Sequence, residues 1–142
     1  MSLHTLYNPL NAWGKSDKAQ KLPSTVASFE SGGAITAGRI VAIATDGTGQ
    51  VTQATTGTTA ALIVGVSLDT VTTSGRVCRV VIAGYASALT NGSPSVGALL
   101  KRGATTAGSF DATATPAAGE VVAVAISTAT SNVSDVWICK AP

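Results

Sequence analysis

Three short apolar runs, at 39–44, 61–67 and 77–83, lie between Ile35 and Gly84, and segments rich in Gly, Thr and Asp separate them. Runs this short, dominated by Val and Ile and bounded by turn residues, read as strands. None of this stretch has the i, i+3, i+4 spacing of an amphipathic helix. The chain is thereby restricted to an all-β fold.

The pattern recurs. A shift of 59 positions carries Gly38 onto Gly97, Ile40-Val41 onto Leu99-Leu100, Gly49 onto Gly108 and Val51 onto Phe110. Continued without a gap, it carries Leu62-Ile63-Val64 onto Val121-Val122-Ala123 and Val77 onto Val136. Two pseudo-repeated β units, at about 34–91 and 92–142, follow from this. One unit alone could not bury its apolar face.

A chain of 142 residues suits one domain with a tail. Aromatics make up 4% and charged residues 11%. The core must therefore be built from Val, Ile, Leu and Ala, and the surface suits a subunit covered by neighbours. Residues 1–25 hold Lys15, Lys18 and Lys21 against Asp17, which is the whole net charge of +2. The body is neutral, with no basic stripe, so neither nucleic acid nor a membrane is an expected partner. Arg76, Arg79, Lys101 and Arg102 read as solvated or ion-paired surface. Cys78 and Cys139 fit no zinc or redox spacing. They are expected as reduced thiols, although pairing between them stays open. No signal-peptide core and no bilayer-length apolar segment is present, so standard export is not expected.

Residues 1–25 read as an extended N-terminal arm ahead of a β domain at 26–142. The arm has no period of 2 or 3.6, yet it carries Leu3, Leu6, Tyr7, Leu10 and Trp13. These are too apolar for a solvated linker and suit anchors that order on a partner, with Lys15, Lys18 and Lys21 facing acidic patches. Packing of this segment on its own body is the competing reading. Thr25–Glu30 alternates like a first strand, Asn91-Gly92-Ser93-Pro94 is a turn, and 134–140 is the last strand.

Catalytic motifs are lacking. Gly14-Lys15-Ser16 resembles the end of a phosphate loop, but Pro9 stands where the first glycine belongs. The sole histidine is His4, which leaves no Ser–His–Asp or Cys–His arrangement. Asp46, Asp69, Asp111, Asp135, Glu30 and Glu120 are scattered, and Asp46-Gly47-Thr48-Gly49 reads as a hairpin turn rather than a calcium loop. No enzyme activity, metal or cofactor is expected.

The stretches 34–41 (AITAGRIV), 63–66 (IVGV) and 75–84 (GRVCRVVIAG) together resemble the head decoration proteins of tailed bacteriophages, also called capsid cement or stabilisation proteins. The likeness covers about residues 34–126. It implies a β-barrel or β-sandwich subunit, usually a homotrimer, on the outer surface of the virion. Such a protein is made in the host cytoplasm and binds major capsid protein subunits, commonly through an N-terminal arm. The alternative is a carbohydrate- or cell-surface-binding β module of a fibre or adhesin. Only four residues, Tyr7, Trp13, Tyr85 and Trp137, could supply sugar platforms, and two of them lie in the arm.

Overall fold

The computed structural model describes residues 23–140. Among these residues the strands are β1 (Ser24–Glu30), β2 (Ile40–Ile43), β3 (Val51–Gln53), β4 (Ile63–Ser67), β5 (Val77–Leu89), β6 (Leu99–Arg102), β7 (Phe110–Thr113), β8 (Ala123–Ala125) and β9 (Val133–Ile138). One short 3-10 turn, Ala60–Leu62, precedes β4. The strands form one curled antiparallel sheet in the order β3-β2-β4-β5-β9-β8-β6-β7, with β1 added on β5. The all-β, barrel-like expectation holds. The first strand, read at Thr25–Glu30, opens one residue earlier, at Ser24.

β5 organises the sheet. The apolar run suggests an end at Ala83, but the strand continues to Leu89 and pairs with β9 from Gly84 onward. A β-bulge lets it turn. Thr25 pairs with Ala83 while Val26 pairs with Val81, leaving Ile82 as the extra residue. Gly84 follows at φ 89°, and a Cβ there would lie 2.3 Å from the Pro23 carbonyl oxygen. Only glycine satisfies both demands. Gly65 solves a second close approach, since a Cβ on it would lie 1.9 Å from the Val81 carbonyl oxygen where β4 crosses β5.

The hydrogen-bond register carries an internal repeat. Val41, Ala42 and Ile43 face Gln53, Thr52 and Val51, and Leu100, Lys101 and Arg102 face Ala112, Asp111 and Phe110 in the same pattern 59 positions on. Parallel bridges join Ser31 to Val51 and Thr90 to Phe110. The strand ending at Glu30 therefore matches the second half of β5, so β5 closes one unit and opens the next.

The shift does not stay at 59. Gly38 N donates to Ser67 O, and Gly97 N donates to Ala125 O. Leu68 N donates to Arg79 O, and Ile126 N donates to Asp135 O. The offset is thus 58 between β4 and β8 and 56 between the first half of β5 and β9. Val64 corresponds to Val122, and Val77 corresponds to Val133 rather than Val136. Two local events cause this. A register break between Val41 and Ala42 inserts one residue opposite β2, and the connection at 68–76 is two residues longer than that at 126–132.

Two apolar clusters result. One lies inside the first unit and holds Ile35, Val41, Val51, Cys78 and Val80. The larger holds Leu100, Phe110, Val136 and Ile138 of the second unit together with Ile40, Val66 and Val81 of the first. The outer face of the first unit therefore covers the interior of the second. Phe110, fully buried, is the largest side chain in that core.

Candidate functional site

Each carboxylate of the body has its own local partner. Asp46 Oδ1 accepts from the Thr48 hydroxyl at 2.6 Å and the Thr48 amide at 3.0 Å, which makes the turn of the β2–β3 hairpin and holds the carboxyl below its usual range. Asp69 accepts from the Arg79 guanidinium at 2.7 Å and from the Arg79 amide. These bonds push Asp69 down and Arg79 up. Glu120 accepts from the Ala117 amide and from Lys101 Nζ, both at 2.9 Å, and is likewise lowered. Asp111 accepts from the Asn91 side chain and the Ala104 amide. Glu30 accepts from Gln50. Asp135 accepts from the Tyr85 phenol. No two of them share a site, and no group of three potential metal ligands occurs among the described residues. Arg79 and Lys101 are ion-paired rather than gathered into one basic patch. Arg102 donates to the carbonyls of Thr56 and Gly103.

Cys78 and Cys139 are both free thiols. Cys78 is buried beside the Ser67 hydroxyl at 3.2 Å. Cys139 lies just past β9, exposed, and burial of its sulfur raises its pKa. The repeat sets Cys78 opposite Ser134, not Trp137, and Cys139 opposite Ala83, not Val80.

The arm residues Leu3, Leu6, Tyr7, Leu10, Trp13, Lys15, Lys18 and Lys21 lie outside the described residues. The point where they join the fold is defined. Pro23 O accepts from the Tyr85 amide at 3.1 Å. Ser24 then lines an open groove of about 630 Å³ together with Ala37, Leu68, Tyr85, Ser87 and Val133. The groove runs along the edge of β5 that faces away from β9. At its far end Gly38 O accepts from the Leu89 amide at 2.9 Å.

Several exposed apolar side chains were not singled out by sequence reasoning. They are Val26 (44% exposed), Leu68, Val77, Val96 (65%), Leu99 (36%) and Val133. For Val77 and Leu99 the exposure has no signature in the sequence, because each opens a strand run that reads as core. No helix among the described residues is long and apolar enough to cross a membrane.

No family model and no curated protein matches the chain. Among solved structures, the crystal structure of the head fiber gp8.5 N base in bacteriophage phi29 aligns with a TM-score of 0.58. The sequence identity is 16%, over 82% of this chain and 97% of that one. The likeness is one of fold.

Proposed function

We propose that this chain is a structural protein of a phage virion that decorates and stabilises the outside of the head as a homotrimer, binding major capsid protein through residues 1–22. The observation that carries the reading is the fold shared with a head fiber base, taken over nearly all of that structure. The motif resemblance to decoration proteins points to the same place. The chemistry is compatible: the carboxylates of the body are each committed to a local partner, and its surface charge is balanced. On this reading it has no catalytic role and needs no cofactor, nucleic acid or membrane. Residues 1–22 precede Pro23, whose carbonyl accepts from the Tyr85 amide beside the groove.

Sedimentation of purified protein with empty heads tests this. Trimers should co-sediment at a fixed ratio to capsid protein, and a protein lacking residues 1–22 should stay trimeric but bind far more weakly. Unchanged occupancy by the truncated protein would remove the arm from docking. The match to a fiber base favours one variant, in which the same subunit anchors a longer fibre. A glycan array, on which a decorating or anchoring subunit should show no binding, separates it from a carbohydrate-binding module.

A further inference from the structure

Equivalent positions of the two units differ sharply in exposure. Ile40, Val66 and Val81 are cross-strand neighbours on β2, β4 and β5. They form one apolar row on the outer face of the first unit, at 0%, 0% and 1% exposure, and the interior of the second unit covers them. Leu99, Val124 and Trp137 are the same three neighbours on β6, β8 and β9. Here Leu99 is 36% exposed, and Val124 and Trp137 are half-buried. Among the described residues nothing covers this row as the first is covered.

The receiving surface shows the converse. In the second unit Ala88, Val122 and Ile138 are buried, because the first unit lies over them. Their counterparts Phe29, Val64 and Ile82 are only half-buried, and so are Ile43 and Val71 beside them. The backbone repeats the pattern. Between the units, Gly38 O accepts from Leu89 N, and Gly108 O accepts from Ile40 N. The groups matching the first of these are Gly97 O and Glu30 N, a pair not made within the chain, and β1 carries no strand but β5. Leu99 N, which matches Ile40 N, is instead engaged opposite Thr113 in the β6–β7 ladder.

We propose that a second copy of this chain supplies the missing cover, in a head-to-tail contact that repeats the internal unit–unit contact between molecules. The Leu99–Val124–Trp137 row of one copy packs over Phe29, Val64 and Ile82 of the next. Gly97 O meets Glu30 N. Exposed Val96 sits beside this bond, where Ala37 sits in the internal contact. The surfaces differ, so the contact is heterologous: it closes into a ring when the rotation per copy divides a full turn. Three copies would make a ring of six units, which gives the trimer proposed above its interface. The contact itself does not depend on the capsid reading.

The internal contact also supplies a test. A Cβ on Gly108 would lie 2.9 Å from Arg39 Cβ, and the corresponding places are Gly49 and Ala98. Two proteins, Ala98→Cys and Thr48→Cys, are made with full-length chains in a Cys139→Ser background, so that the introduced thiol is the accessible one beside buried Cys78, and treated with a short bis-maleimide. Neither alone should cross-link, whereas their mixture should give covalent dimers, and Leu99→Asp in the Ala98→Cys partner should reduce that yield at least tenfold. Circular dichroism checks that each variant stays folded. Cross-linking of Ala98→Cys with itself would mean a two-fold contact and overturn the proposal. A mixture without dimers, from proteins that light scattering shows to be oligomeric, would overturn it and leave the trimer standing. A monomer at micromolar concentration would remove both. Dimers that persist unchanged with Leu99→Asp would mean that the contact between copies does not bury this row, and would overturn the packing proposed for it.

Discussion

The Tyr85 phenol donates to Asp135 Oδ1 at 2.9 Å, across the β5–β9 pair that joins the second half of β5 to the last strand. Burial first, and then this carboxylate, push the phenol above its ordinary value of 10.0. A raised folded-state pKa contributes stability that is complete below the unfolded value and fades as pH rises through the folded one. Tyr85→Phe should cost about 1 kcal/mol near neutrality. It should also remove one of the two phenolate steps from a high-pH absorbance titration, leaving that of Tyr7. Retention of both steps in the variant would assign one of them to another group.

Gly84→Ala places a methyl against Pro23 O and Ser24 Cα at a left-handed φ. The expected loss is about 2 kcal/mol or more, read from the denaturant midpoint. A midpoint unchanged by the substitution would mean that β1 and β5 can separate at Pro23 without cost.

Native alkylation should reach one thiol. Cys139 is exposed and should react, although slowly, because its raised pKa leaves little thiolate at neutral pH. Cys78, at 0% exposure, should react only after unfolding. Mass spectrometry should show one label before denaturation and two after. A protein that takes neither label when unfolded without reductant would contain a disulfide.

Trp13→Ala should weaken binding to empty heads by about 2 kcal/mol, the scale of an aromatic hot spot, with no change in the thermal unfolding of the body. A lower melting temperature with normal binding would place Trp13 in the subunit's own packing.

The β2 run, the β4 run and the first half of β5 were legible because Val and Ile cluster there between segments of turn residues. The second half of β5 was not. Tyr85-Ala86-Ser87-Ala88 lacks β-branched residues and follows a glycine that looks like a stop. Its strand character comes from pairing with β9. The repeat could be read, but its slips to 58 and 56 could not, because a one-residue bulge leaves no compositional mark. Nor could Leu99 be told from Ile40 as a surface residue. Both are aliphatic and open a strand in the same way, and only the neighbouring unit makes one of them core. The arm anchors Leu3 to Lys21 lie outside the described residues, so their role rests on the experiments above.

One strand serves as the last of the first unit and the first of the second, and this rules out modular behaviour. Cutting β5 at its midpoint would strip β1 and β4 of their partner on one side and β9 of its partner on the other. The two units should therefore melt in one transition, with no half-folded species at equilibrium. Most of the pairs that must form join distant parts of the chain: Ser24 with Gly84, and Gly84 with Ile138. Closure of both loops must precede most of the reward, so folding should be slow for a chain of this size. Opening should be correspondingly rare, which suits a subunit held for long periods in one assembled state.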